Sequence, residues 1–226
     1  MAKFMFLIRM FIDKPREKED EFNRWYWDEH IPALSAVPGI LSARRYVNVA
    51  SYCPDSPKYI AFYELAHSGV MESKEWNSWA YSSEWARRTA PQEGNPGVYE
   101  ETIPKVDEGL ISSSCLYVNR FFPRPEKSEF FNDWVEKTLL PQARQVDGVL
   151  KCRFYHATGN VHRNTPPYLL IFELRDANVV NGEGWKRLSS PDGILKPVRN
   201  VVLHKNFPGL YERLLPPSDA GLTLRW

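Results

Sequence analysis

His30 is the side chain of this sequence best suited to moving a proton near neutral pH. It stands in Phe22-Asn23-Arg24-Trp25-Tyr26-Trp27-Asp28-Glu29-His30-Ile31-Pro32. Pro32 removes a backbone donor and crowds the preceding turn, which predicts a helix break and puts His30 near a helix C-terminus. The helix dipole, Asp28 and Glu29 favour the imidazolium there, and burial opposes it. A histidine so placed can act as general acid or base; the structural alternative is one that only hydrogen-bonds carbonyls exposed at the break. Tyr46 shares a strand face with Arg44, because alternate residues of a strand point the same way. The Tyr46 hydroxyl could orient a substrate carbonyl or phenol, or both residues could be structural. Arg9 lies in an apolar run with Met5, Leu7 and Phe11 on its face. A buried arginine needs a partner or a wet cavity, so Arg9 is expected either to bind a carboxylate or phenolate or to pair with an acid such as Glu64. His156, Tyr63, Trp76 and Trp79 complete the set, as pocket walls or, for the aromatics, as core.

Several chemistries lack their residues. There is no Gly-rich phosphate loop, no HExxH and no GxSxG elbow. Cys53, Cys115 and Cys152 are odd in number and show no CxxC spacing, which fits reduced thiols in a cytoplasm better than a disulfide framework or a zinc site. His67, His162 and His204 are haem ligands by residue type alone. No cofactor and no metal is therefore expected.

The elements that must position these residues come from a globular composition. Of 226 residues, 43% are hydrophobic and 25% charged, which excludes a disordered chain. A net charge of +1 gives no basis for binding nucleic acid or an anionic membrane. Aromatics make up 14%, with eight Trp, enough for large cores or a pocket for a flat apolar ligand. The run Phe4 to Ile12 is interrupted by Arg9, is too short to span a bilayer, and is followed by no signal-peptide cleavage site.

The chain repeats itself. At an offset of 109, Phe22-Asn23-x-Trp25 recurs as Phe131-Asn132-x-Trp134, and Pro32, Gly39, Arg44, Tyr46, Tyr59, Glu64 and Trp76 find Pro141, Gly148, Arg153, Tyr155, Tyr168, Glu173 and Trp185. At an offset of 112, Pro96-Gly97-Val98-Tyr99-Glu100 matches Pro208-Gly209-Leu210-Tyr211-Glu212. Hydrophobic patterning gives one copy as strand 3–12, a helix opened by Pro15 and ended at Pro38-Gly39, strands 40–48 and 59–65, helix 73–88 and strand 98–106. The second copy follows as 114–122, 126–145, 149–156, 168–174, 178–188 and a last strand near 201–206. The order βαββαβ is the ferredoxin-like pattern. The expected fold is α+β: two tandem ferredoxin-like units, residues 1–109 and 110–216, with a tail at 217–226. Their bare sheet faces must be covered, and two such sheets can close edge to edge into an intrachain barrel, which also removes exposed strand edges.

The run Phe22-Asn23-x-Trp25-Tyr26-x-x-Glu29-His30-Ile31-Pro32, with Val37-Pro38-Gly39 and Arg44-x-Tyr46, resembles the EthD-like family of the dimeric α/β-barrel superfamily. The resemblance covers the first half well and the second in skeleton. It implies a superfamily of isomerases, lyases and dehydratases, polyketide cyclases, cofactor-free oxygenases, haem enzymes and simple binding proteins, of which a small-molecule enzyme without a cofactor is the reading taken. Most such proteins are single units that pair as homodimers, so a tandem copy is a departure, giving a monomer with an intrachain pseudo-dimer or a homodimer of these. His30 maps to Leu139, and Asp28 and Glu29 map to Lys137 and Thr138. The active pocket is therefore expected in the first unit. The reading is proton-transfer chemistry of lyase, dehydratase or isomerase type on a hydrophobic, aromatic or polyketide-like compound. His30 and Tyr46 are the catalytic candidates, with Arg9, Arg44, Tyr63, Trp79 and His156 on the substrate. The alternatives are a cofactor-free oxygenase of an electron-rich phenol and a non-catalytic small-molecule-binding or accessory protein.

Overall fold

The computed structural model describes residues 4–11, 16–80, 92–93, 96–103, 109–158, 165–190, 201 and 208–216. Eight strands form its frame: β1 (Phe4–Phe11), β2 (Ile40–Asn48), β3 (Tyr59–Leu65), β4 (Gly97–Ile103), β5 (Cys115–Phe121), β6 (Val149–Ala157), β7 (Tyr168–Leu174) and β8 (Gly209–Arg213). They pair antiparallel in the ring β1-β3-β2-β8-β5-β7-β6-β4, and β4 returns to β1. Two arcs are visible in that ring. The first-half arc runs β4-β1-β3-β2 and the second-half arc β8-β5-β7-β6. They meet where Val47 faces Glu212 and where Glu100 faces His156. The central strands β3 and β7 are buried on both faces and read as apolar runs broken only by Glu64 and Glu173.

Closure turns one face of every strand inward. Leu7, Tyr46, Ile60 and Phe62 of the first arc pack there against Leu116, Tyr155, Leu169 and Ile171 of the second. Side chains fill the barrel, as its eight strands allow. Polar groups close one end. Arg44 pairs with Glu64 at 2.7 Å, and Arg153 pairs with Glu173 at 2.8 Å and Glu101 at 2.7 Å. The segment joining the halves lies across these acids. The Ile111 amide donates to Glu64 at 2.8 Å, and the amides of Ser112 and Ser113 donate to Glu173 at 2.9 and 3.0 Å.

The outward strand faces carry the helices: α1 (Arg16–Trp25) and α2 (Ile31–Ser35), α3 (Lys74–Ala80), α4 (Ser128–Trp134) and α5 (Leu140–Ala143), and α6 (Glu183–Ser189). The expected break at Pro32 does not occur. A π-helical turn, Tyr26–His30, carries α1 into α2, with the Ile31 amide bonded to the Tyr26 carbonyl. The wider turn absorbs the donor that proline lacks. Val135–Leu139 does the same ahead of Pro141. The feature belongs to the proline, since it recurs where His30 is replaced by Leu139. Each helix ends before a glycine at positive φ, Gly39 at 91° and Gly148 at 85°.

Two further expectations fall partly outside the described residues. Among the described residues the last strand is Gly209–Arg213; of the expected strand 201–206, all but Val201 lies outside them. The expected helix 73–88 is seen as Lys74–Ala80; residues 81–91, and the tail 217–226, also lie outside.

Candidate active site in the first-half outer layer

The sheet separates the two residues expected to work together. Tyr46 points into the barrel, donates to the Ser113 carbonyl at 2.9 Å, and holds its proton tightly because it is buried. His30 lies on the other side of the sheet, among the helix-facing residues. Tyr46 and Arg44 do share a face, but their partners are the joining segment and Glu64. Arg9 also faces inward. Burial, then Arg120, lowers its pKa to about 10, and Tyr211 and Tyr99 oppose that shift. The acid that might have held Arg9, Glu64, is paired with Arg44 instead. His156 belongs to the second half, edge-on to Phe154 and Tyr168, with its pKa lowered by burial. The side chain of Trp79 lies outside the described residues, as do His162 and His204, and His67 is exposed.

Tyr63 does join His30. The His30 ring lies 4.9 Å from Trp25, 4.7 Å from Tyr26 and 6.5 Å from Tyr63. The π-turn makes the first two contacts compatible. On a regular α-helix residues five apart diverge, whereas one i→i+5 turn brings Trp25 and Tyr26 onto the side of His30. Tyr26 and Tyr63 hydrogen-bond through their hydroxyls at 2.7 Å. Trp76 packs edge-on to Tyr63 at 5.8 Å. Asp28 and Glu29 are exposed and take no part.

The central residue of this layer is Arg45, which the sequence reading passes over for its neighbour. Its guanidinium is fully buried, 4.3 Å from the ring centroids of Tyr26 and Tyr59 and 4.8 Å from that of Phe22. Among the described residues none of its three nitrogens has a hydrogen-bond partner. Cation–π contacts of this kind are worth about 2 kcal/mol or more when desolvated, yet they engage the faces of the cation and leave its in-plane N–H groups unused. The carboxylate of this layer is committed elsewhere: Glu19 accepts from Tyr59 at 2.5 Å and from Lys58 at 2.7 Å. Burial brings the Arg45 pKa down to about 10, so the group remains a cation at neutral pH. Burial and then the Arg45 charge push His30 down to about 3, so its imidazole is neutral. The dipole and carboxylates expected to charge it are outweighed, because the helix runs on and both acids face water.

The second half builds the same layer without the polar groups. Tyr26, His30, Arg45 and Tyr63 correspond to Val135, Leu139, Phe154 and Phe172. Packing residues persist: Asn23 donates to Tyr59 at 3.1 Å, and Asn132 to Tyr168 at 3.4 Å. What the halves share is scaffold, and what they do not share is the candidate site. A surface cleft of about 540 Å³ does open on the second half, beside Gln142, Asp147 and Arg187, but no side chains of this kind converge there. Among the described residues no group of three potential metal ligands is found, and no helix is long and apolar enough to cross a membrane.

A closed eight-stranded antiparallel ring with helices outside is the architecture of the dimeric α/β-barrel proteins, here within one chain. Solved structures agree over nearly the whole length. An anthrone oxidase-like protein matches with a TM-score of 0.64 at 14% identity, over 99% of both chains. A candidate monooxygenase from Fusobacterium nucleatum matches at 0.58 and 14%, over 95% of this chain and 93% of its own. A chlorite dismutase variant from Candidatus Nitrospira defluvii matches at 0.57 and 13%, over 93% and 92%. At such identities the likeness is one of fold. Neither a protein-family model nor a curated protein matches the sequence.

Proposed function

We propose that the chain is a small-molecule enzyme whose one active site is the first-half outer layer, built as two fused ferredoxin-like units of EthD-like kind. It removes a proton from an aromatic or polyketide-like compound and handles the resulting anion, as a lyase, dehydratase or isomerase does. The observation that carries this is the buried Arg45 cation beside a neutral His30, in a layer whose counterpart has Phe154 and Leu139 at those two positions. A neutral imidazole can accept a proton from a carbon or hydroxyl of the substrate. The negative charge left behind falls to Arg45, so the net charge of the site is unchanged. Tyr63, whose proton burial holds, and Tyr26, hydrogen-bonded to it, serve as hydrogen-bonding walls. The free thiols Cys53, Cys115 and Cys152 fit a reducing compartment such as the cytoplasm.

The neighbours named as anthrone oxidase-like and as a candidate monooxygenase support a second reading, in which the same anion, formed from an electron-rich phenol, reacts with dioxygen. Incubation with a hydroxylated anthrone under air and under argon separates the two, with substrate followed by absorbance and dioxygen by electrode. Turnover without dioxygen uptake supports proton transfer, and stoichiometric uptake supports oxygenation. In either case His30→Ala lowers the rate by about 10²- to 10⁴-fold, the usual size of an acid–base contribution, while Tyr46→Phe leaves it unchanged. Full activity in His30→Ala refutes this site.

A further inference from the structure

We propose that the first-half layer takes its ligand as an oxyanion on a planar aromatic ring, a phenolate or carboxylate, received edge-on by the in-plane N–H groups of Arg45. The inference rests on the functional site proposed above and narrows its substrate class. Three observations lead to it. The guanidinium is fully buried and its nitrogens make no hydrogen bond among the described residues, a costly state that an anion would relieve. Three aromatic rings surround the cation, so what it lacks is an oxygen to accept from its N–H groups, the bonds a carboxylate or phenolate supplies. The second half places Phe154 at this position and keeps the fold, so the barrel itself does not require the cation. An aromatic layer with one unsatisfied cation is matched by a flat ring bearing one negative oxygen. Such an occupant would also offset the Arg45 charge felt by His30, making that imidazole a better proton acceptor when the site is filled.

The probe is 4-nitrophenol, whose neutral and ionised forms absorb at different wavelengths, with 4-nitroanisole as its neutral analogue. Binding is followed by nitrophenol absorbance and tryptophan fluorescence on the full chain, for wild type, Arg45→Met and Arg45→Lys. Arg45→Met preserves the apolar packing of the stem. Its folding is checked by circular dichroism, and Arg45→Lys keeps the charge should Met fail to fold. The expected result is bound nitrophenol more ionised than free nitrophenol at the same pH. Its affinity should exceed that of nitroanisole by tenfold or more, with the preference abolished in Arg45→Met and weakened in Arg45→Lys. Equal affinity for nitrophenol and nitroanisole, with His30→Leu disturbing both, would sink the oxyanion inference and leave the site standing. Binding of neither probe, or binding indifferent to His30→Leu, would overturn the site and the inference together. A phenolate preference that survives in Arg45→Met, or is unaltered in Arg45→Lys, would assign the anion to another cation and refute the role of Arg45.

Discussion

Replacing His30 by leucine, the residue at the matching position of the second half, tests the electrostatics of the layer without needing a substrate. The folded imidazole takes a proton only near pH 3, whereas the unfolded one does so at the ordinary value of 6.5. Between those values the unfolded chain binds one more proton than the folded chain. Stability therefore rises with pH in this window and falls on acidification, by about 1.4 kcal/mol per pH unit where the difference is complete. Integrated from about pH 7.5 to about pH 4.5, the His30 contribution to this loss is about 2.5 kcal/mol. His30→Leu lacks it. Other groups, including the half-buried His156, titrate in both proteins and cancel in the difference. Urea unfolding followed by tryptophan fluorescence at several pH values gives both curves. Wild type should lose about 2.5 kcal/mol relative to His30→Leu over that interval. Parallel curves would show that the folded imidazole accepts its proton as readily as the unfolded one, and the account of burial and Arg45 acting on His30 would be wrong.

Other outcomes are equally specific. Glu173→Gln loosens the ion pair with buried Arg153 and two amide contacts of the joining segment, and should cost about 3–5 kcal/mol of unfolding free energy, as breaking a buried pair does. Because the folded Glu173 pKa is lowered, its contribution is present above the ordinary carboxylate range and fades as pH falls through its folded value, so the deficit of Glu173→Gln should shrink in acid. Gly209 carries the Tyr211 ring so closely that an added Cβ would lie 2.0 Å from a ring atom. Gly209→Ala should lose about 1–3 kcal/mol by overpacking, and a double-mutant cycle with Tyr211→Ala should show strong coupling between the two sites. Leu139→His puts an imidazole into an apolar layer that has Phe154 in place of Arg45, and should lower Tm without creating activity.

Strands and helix faces could be read from sequence where one physical signal dominated. The runs 59–65 and 168–174 match β3 and β7, because strands buried on both faces are apolar at every position but the single glutamate near the end, Glu64 or Glu173. The last strand was harder, since patterning near 201–206 competes with the true one. The repeat of Pro96-Gly97-x-Tyr99-Glu100 at Pro208 to Glu212 already marks Gly209–Arg213 as the second-half counterpart of β4. The asymmetry at His30 and Leu139 is legible; the identity of its neighbours is not. Asp28 and Glu29 adjoin His30 in sequence but point to solvent, because the helix turns them outward. Arg45 adjoins Arg44 and faces the opposite side of the sheet, and only strand phase distinguishes the structural arginine from the orphaned one. Comparing the copies position by position would have found it, since Arg45 meets Phe154 and Tyr26 meets Val135. The π-turns carry no separate signal beyond Pro32 and Pro141.

A closed ring also has a mechanical consequence. In an open sheet, a destabilised segment can peel away from an edge and relax alone. Here β2 is zipped to β8 and β4 to β6, so the first-half layer has no seam at which to come loose by itself. Whatever the uncompensated Arg45 costs is spread over one cooperative structure, and the second layer, with Phe154 in its place, acts as ballast for it. A symmetric pair with two such cations would carry the burden twice with no ballast at all. The second half is thus the counterweight that lets the first keep a poorly satisfied interior.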